Sequence, residues 1–208
     1  MIETLDAAAR RAHDEPALAL DALPWLGAAI EADASAGRLG TWGRSTVVDE
    51  HVGGPVIGEA LFAALHERAG LRERWPVGNA ALLHVYGYLL STVPTPFGLK
   101  RDRWLDGSLA RAYGLADDAF VPWSSERTLL ERVDGAARAL LARGATRSSA
   151  VGGVEASVAL GREPDTGPWA LAYAVDGRLI TTFPVVSAVE LLAEWDAEPP
   201  RLRWNAVR

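Results

Sequence analysis

An Asp-Gly pair between two apolar runs is the feature that most constrains the fold of this chain. Asp176 and Gly177 separate residues 169–175 from residues 178–185, and both runs have the length and the β-branched or aromatic content of strands. An Asp-Gly pair in this setting is the strongest short-range signal for a hairpin turn. The sequence therefore predicts an antiparallel hairpin over residues 169–185.

Helical patterns dominate the first part of the chain, whereas strand-like patterns dominate its last third. Apolar residues recur at helical spacing over residues 2–13 and 16–34, with Pro24 as a break. Residues 154–160 alternate like a strand ahead of the hairpin. This order predicts an α+β fold, in which a helical N-terminal half packs on a mainly antiparallel sheet formed by the central segment and the C-terminal hairpin.

A length of 208 residues fits one domain with a sizeable hydrophobic core. We predict a single domain over residues 1–208, with residues 1–35 as a helical segment packed on it. The best helical pattern of the second half covers residues 124–143 and is closed by Gly144.

Residues 79–92 form an apolar run whose secondary structure the sequence leaves open. The β-branched and aromatic centre of the run indicates a strand, whereas its leucines also suit a buried helix. The loop that follows is stiffened by Pro94 and Pro96, which bias the residues before them away from helical geometry.

The charge balance excludes several classes of function. The formal net charge is −6 and the pI is about 5.3, which argues against a general role on nucleic acid, because such binding depends on clustered cations. The chain contains no cysteine, so disulfides, thiolate nucleophiles and iron–sulfur clusters are excluded. There is no secretory signal and no apolar run of about eighteen residues, so we expect a soluble cytoplasmic protein without membrane contact.

Lys100 is the only lysine, against twenty arginines, and it heads the densest basic cluster together with Arg101 and Arg103. The arginine bias is typical of coding in GC-rich genomes such as those of actinobacteria, so the rarity of lysine carries little weight. The position of the cluster, directly after the proline-stiffened loop, carries more. Guanidinium and ammonium groups suit a carboxylate, phosphate or sulfate, and Asp102 could orient one arginine.

His84, Tyr86 and Tyr88 alternate within the ambiguous segment. If residues 82–90 are a strand, the three side chains project from one face and form an acid/base row. On a helix they would spread over about 200° and the row would lose most of its force. In the alternative interpretation the tyrosines line a packed face and His84 is a satisfied core residue.

These patterns define the candidate site. His84, Tyr86 and Tyr88 are the predicted catalytic residues, with His84 as general acid or base and a tyrosine as hydrogen-bond donor. The alternative for the basic cluster is a solvated loop whose charges pair locally. The predicted substrate-binding residues are Lys100, Arg101, Arg103, Trp104 and Thr95.

Familiar motifs for metals, nucleophiles and phosphates are missing. The four histidines lie far apart without an H-E-x-x-H motif, and neither G-x-S-x-G nor a glycine-rich P-loop occurs. We therefore expect no metal and no cofactor. Two weaker polar groups in the last third comprise Arg178, Thr181 and Thr182 in the predicted hairpin, and Arg201, Arg203 and Asn205 at a spacing of two.

The leading functional hypothesis is a small soluble enzyme that acts on an anionic small molecule by general acid/base chemistry, such as elimination or intramolecular ring closure. The competing hypothesis is a non-catalytic accessory subunit that binds a protein partner, or a second copy as a homodimer. It rests on the eight tryptophans and the many arginines, which are typical of protein interfaces. A ligand-binding sensor without chemistry is a third alternative.

Overall fold

A computed structural model describes residues 1–143, 145–162, 167–197 and 201–208; for residues 145 and 146 it describes the backbone alone. The chain divides into two compact units. The first comprises Met1–Asp102 together with Asn205–Arg208, and the second comprises Arg103–Trp204. The prediction of one domain over residues 1–208, with residues 1–35 as a helical segment on it, stays a prediction.

Four helices supply much of the first unit. Proline occupies the first position of α2 and of α3, where the missing N–H costs no helical hydrogen bond. The inward faces of these helices carry fully buried leucine and isoleucine side chains, among them Leu5, Leu26 and Ile30. The helices are α1 (Ile2–Arg11), α2 (Pro16–Asp21), α3 (Pro24–Ser35) and α4 (Glu59–Arg68).

Residues 79–92 are largely helical, which resolves the ambiguity in the sequence. A π-helical turn (Leu82–Tyr86) is followed by a 3₁₀ turn (Gly87–Leu90), and every side chain from residue 82 to residue 90 is buried. The Asn79 side-chain oxygen accepts the N–H groups of Ala81 and Leu82, so asparagine caps the helical start. The strand interpretation of this segment is therefore wrong, and with it the one-face row of His84, Tyr86 and Tyr88.

The strands of the first unit are short. Two of its sheets are two-stranded hairpins, and the third is an antiparallel sheet in the order β11-β1-β4. The strands are β1 (Arg44–Thr46), β2 (Val48–Asp49), β3 (Gly54–Pro55), β4 (Val77–Asn79), β5 (Pro94–Thr95), β6 (Gly98–Leu99) and β11 (Ala206–Val207), with β2 paired to β3 and β5 to β6.

The second unit is built around a four-stranded antiparallel sheet in the order β10-β9-β8-β7. Its last hairpin turns at Asp176 and Gly177, whose φ angles of 52° and 70° are both positive, as a tight two-residue turn requires. The predicted hairpin is confirmed. The strands are β7 (Ala145–Val151), β8 (Val154–Gly161), β9 (Trp169–Val175) and β10 (Arg178–Val185).

Helix α7 packs its apolar face on this sheet, with Leu130, Val133 and Ala137 fully buried. Gly144, predicted to close that helix, lies outside the described residues. The α+β class is confirmed, with a helical N-terminal half and a C-terminal antiparallel sheet. The remaining helices are α5 (Asp102–Leu105), α6 (Ser108–Ala112), α7 (Leu129–Arg143) and α8 (Ala188–Ala197).

Candidate functional site

His84 lies in the interior of the first unit, in contact with Ser45 of strand β1. The His84 side chain is 2 % exposed, and its Nε2 lies 2.8 Å from the Ser45 Oγ. The same Oγ lies 2.8 Å from the backbone carbonyl oxygen of Asn205, the residue before strand β11. Histidine and serine are thus joined into one hydrogen-bonded chain that ends on the backbone.

The donors and acceptors of these three groups determine the direction of the two hydrogen bonds. A carbonyl oxygen only accepts, so the single hydroxyl hydrogen of Ser45 must point to Asn205. His84 Nε2–H then donates to the Ser45 Oγ. The distance alone would fit a nucleophilic serine and its base, but Ser45 gives its proton to the backbone and is not activated by His84. Ser45 instead holds the imidazole in place.

Tyr88 connects His84 to the basic loop. The His84 and Tyr88 rings stack, with centroids 4.9 Å apart and an interplanar angle of 24°. The Lys100 ammonium lies 5.6 Å from the centre of the same Tyr88 ring, within the range of a cation–π interaction. The Asn205 side-chain amide lies 3.5 Å from the Tyr88 hydroxyl and donates a long hydrogen bond to it. Three of the predicted residues therefore belong to one cluster.

Lys100 is paired with Asp49 at the end of strand β2. Their Nζ and Oδ2 atoms lie 2.5 Å apart, with side-chain exposures of 13 % and 3 %. The other carboxylate oxygen accepts the backbone N–H groups of His51 and Val52. Burial by itself raises the pKa of Asp49, but the hydrogen bond and charge of Lys100, with the two N–H groups, outweigh it and hold the pKa below its usual value.

Arg101 uses one side of its guanidinium for an ion pair. Its Nη2 lies 2.8 Å from Asp6 of helix α1. Its Nη1 is buried, and no hydrogen-bond acceptor for it lies among the described residues. A guanidinium commonly engages a carboxylate through two nitrogens, so Arg101 retains one directed donor. Asp102, which we expected to orient an arginine, instead accepts the N–H of Leu99 at 2.8 Å.

Tyr86 and Thr95 lie outside this cluster. The Tyr86 hydroxyl donates to the fully buried carboxylate of Asp33, which Arg38 also contacts at 3.1 Å. The Thr95 hydroxyl donates to the carbonyl of Gly98 and stabilises the turn between β5 and β6. Both side chains have structural partners in the first unit.

Arg103 and Trp104 belong to the second unit. The Arg103 guanidinium donates to the Thr182 carbonyl at 3.0 Å and to the Thr181 hydroxyl at 3.4 Å, and it lies 5.7 Å from the rings of both Trp104 and Phe183. Trp104 is 1 % exposed and forms part of the core of that unit. These two predicted substrate-binding residues thus join the weaker hairpin group that contains Thr181 and Thr182.

A buried tyrosine completes the second cluster. The Tyr113 hydroxyl lies 2.7 Å from the Thr182 hydroxyl, which donates to the carbonyl of Leu171 at 2.6 Å. Tyr113 therefore donates to Thr182. Burial raises the pKa of Tyr113 far above its usual value, so this phenol stays protonated.

Three residues of the first cluster were absent from the predicted site. Ser45 lies in a three-residue strand, where a single serine carries no pattern. Asp49 belongs to none of the motifs singled out in the sequence, and Asn205 was predicted only as part of a polar row. Each reaches His84, Tyr88 or Lys100 from a distant part of the sequence, so local spacing held no signal for these contacts.

His66 is a second buried histidine of the first unit, and it holds two backbone groups. Its Nδ1 lies 2.8 Å from the Phe62 carbonyl oxygen, and its Nε2 accepts the N–H of Asn79 at 3.1 Å. This acceptor role requires a lone pair on Nε2, so the ring is neutral. Burial lowers the pKa of His66, although the Phe62 carbonyl and the charge of Glu73 act in the opposite sense.

The free energy of unfolding is therefore expected to fall as the pH drops below about 6.5, the ordinary pKa of histidine. The unfolded chain binds a proton there, whereas folded His66 binds one only at its lower folded-state pKa. One such group changes the free energy by at most about 1.4 kcal/mol per pH unit. Urea unfolding between about pH 7.5 and pH 5.5 tests this, and the His66→Gln variant should show a flatter dependence. An equal loss in both proteins would assign the effect to other groups.

All eight tryptophans are buried or partly buried, and none is among the exposed large apolar side chains. The exposed set includes Phe97, Val186 and Val189. The hypothesis of a protein interface that includes tryptophan anchors stays a prediction.

Comparison with known proteins returns no matching family model, no similar curated protein and no similar solved structure. Within the described ranges, no group of three histidine or acidic side chains is arranged to hold a metal ion. The described helices include none that is both long and apolar enough to cross a bilayer.

Proposed function

We propose that the protein is an enzyme that acts on a small anionic molecule by general acid/base chemistry in its first unit. In this proposal Lys100 and Arg101 bind a carboxylate, phosphate or sulfate group, and His84 transfers the proton. The observation that carries the proposal is the buried Nη1 of Arg101, which has no acceptor among the described residues and lies on the same loop as Lys100. Buried donors in folded proteins are usually satisfied, and a bound anion oxygen would supply the acceptor for this one.

Recognition at this loop rests on directed hydrogen bonds. Each of the two cations is already paired with a carboxylate, Lys100 with Asp49 and Arg101 with Asp6, so charge alone does not select an anion here. A bound anion oxygen would accept from Arg101 Nη1 and gain a charge-assisted bond, which is stronger than a neutral one. The ammonium of Lys100 adds a second positive group beside Tyr88.

The Ser45 contact suits His84 for proton transfer. Ser45 accepts from Nε2–H whether the imidazole is neutral or protonated, so this hydrogen bond orients the His84 ring in either state. In this proposal the Tyr88 hydroxyl, which accepts the Asn205 amide hydrogen, donates a hydrogen bond to developing negative charge. These roles fit elimination or intramolecular ring closure of a carboxylate-bearing or phosphate-bearing substrate.

Inorganic phosphate is expected to raise the melting temperature of the wild-type protein at constant ionic strength, because a ligand that binds only the folded state stabilises it. Arg101→Lys keeps the charge beside Asp6 but removes the second nitrogen. Loss of one charge-assisted bond of about 1.5–3 kcal/mol should weaken phosphate binding roughly tenfold to a hundredfold. Differential scanning fluorimetry over a phosphate series provides the measurement.

The matched control is Arg10→Lys, on an exposed position of helix α1, which should respond like the wild type. An Arg101→Lys protein that responds to phosphate as the wild type does would contradict the anion site. So would a wild-type protein that responds to neither phosphate nor acetate.

A further inference from the structure

A groove of about 350 Å³ opens on the first unit between helix α4 and the segment that precedes β4. Its volume lies at the lower end of the range of small-molecule sites. It shares no residue with the cluster around His84 and Lys100. The lining residues are Glu59, Phe62, Ala63, Glu73, Arg74 and Trp75.

Aromatic rings form a fixed wall of the groove. Phe62 is 2 % exposed and meets the partly exposed Trp75 edge-to-face, with centroids 5.8 Å apart at 90°. The His66 ring lies 4.1 Å from the Phe62 ring and supports it from within the unit. An apolar or aromatic ligand group can therefore pack on Trp75 without rearrangement of the wall.

Two opposite charges on the lining have no partner among the described residues. Glu73 is paired with Arg44 at 3.1 Å, so its charge is compensated. Glu59 and Arg74 are both exposed, and neither side chain makes an ion pair or a hydrogen bond within the described part of the chain. Besides the paired Glu73, the groove thus combines one carboxylate and one guanidinium, both unpaired within the described ranges, with an aromatic wall.

We propose that this groove binds a zwitterionic small molecule of the amino-acid class with an apolar or aromatic side group. The ligand ammonium would pair with Glu59, its carboxylate would pair with Arg74, and its side group would pack on Trp75. This inference is independent of the acid/base function, because the two sites have no residue in common.

Three probes with the same phenyl group separate the contributions of the two charges. Phenylalanine carries both charges, phenethylamine only the ammonium, and phenylpropionate only the carboxylate. Binding is followed through the indole N–H signal of Trp75 in heteronuclear NMR, assigned by its loss in Trp75→Phe. Phenylalanine is expected to shift this signal saturably and to bind more tightly than either singly charged probe.

Charge-neutralising variants test the two ion pairs. Glu59→Gln should weaken phenylalanine and phenethylamine about two- to fivefold and leave phenylpropionate unchanged, as expected for exposed pairs. Arg74→Gln should weaken phenylalanine and phenylpropionate but not phenethylamine. The matched controls are Glu67→Gln and Arg72→Gln, two exposed neighbours outside the groove lining.

Equal binding of all three probes would overturn the proposal in favour of apolar stacking alone. Absence of any saturable shift at Trp75 would also overturn it, as would equal losses in the variants and their controls. None of these results would bear on the phosphate response of Arg101→Lys.

Discussion

Replacement of Asp49 by alanine is expected to lower the free energy of unfolding by about 3–5 kcal/mol, the usual effect of removing one partner of a buried ion pair. The Asp49 carboxylate is 3 % exposed, and its loss would remove the ion pair that it forms with the largely buried Lys100 ammonium. The backbone N–H groups of His51 and Val52 would also lose their acceptor. Urea unfolding of the wild type and of Asp49→Ala gives the difference directly.

Asp14→Ala is the matched control, because this aspartate side chain is 83 % exposed and should change the free energy by less than about 0.5 kcal/mol. Lys100→Met should be costly for the same reason as Asp49→Ala, since it leaves the carboxylate unpaired. The double variant should cost less than the sum of the two single changes. A loss below about 1 kcal/mol in Asp49→Ala would show that the pair is solvated, as surface pairs are.

His84→Gln is expected to lower the rate of proton transfer about 10²- to 10⁴-fold, the usual contribution of a general acid or base. Glutamine can still donate an amide N–H to Ser45, but it cannot exchange a proton at a ring nitrogen. The reaction is followed in D₂O by proton NMR over a panel of carboxylates and phosphate monoesters, as deuterium incorporation or product formation.

His13→Gln serves as the control, because the His13 side chain is 82 % exposed and takes no part in the cluster. Its rate should equal that of the wild type. Circular dichroism and urea unfolding establish whether His84→Gln remains folded, and Ser45→Ala provides a second variant that keeps the imidazole but removes its hydrogen-bond acceptor. A folded His84→Gln protein with the wild-type rate would exclude His84 as the proton-transfer group.

The elements predicted best from the sequence have strong local signals. The Asp176-Gly177 turn needs two positive φ angles, and its flanking runs are apolar, so the hairpin can be recognised from local sequence. Helix α7 likewise carries an apolar face that fits the helical period. Both features can be recognised within about twenty residues of sequence.

The secondary structure of residues 79–92 could not be decided from the sequence, for a physical reason. Its side chains from residue 82 to residue 90 are buried on all sides, so the sequence has neither the helical period nor the alternation of a strand. The deciding feature is the Asn79 cap, which satisfies two helical N–H groups. Caps of this kind are short signals beside a long apolar run.

The sequence correctly placed His84 close to Tyr88, but the strand geometry from which that proximity was inferred is wrong. His84 and Tyr88 come together because four residues span about one helical turn, not because they alternate on a strand. Tyr86, two residues from each, faces Asp33 instead. The contacts of Ser45, Asp49 and Asn205 depend on tertiary folding, which residue spacing alone does not encode.

We propose that His84 and the loop of Lys100 and Arg101 form one anion-binding site, and NMR of the histidine side chains during a phosphate titration tests this most directly. The His84 signal, assigned by its loss in His84→Gln, is expected to shift saturably in the wild type and to remain still in Arg101→Lys. The exposed His13 serves as the internal reference. A His84 signal that phosphate leaves unchanged in the wild type, or shifts equally in Arg101→Lys, would contradict the account.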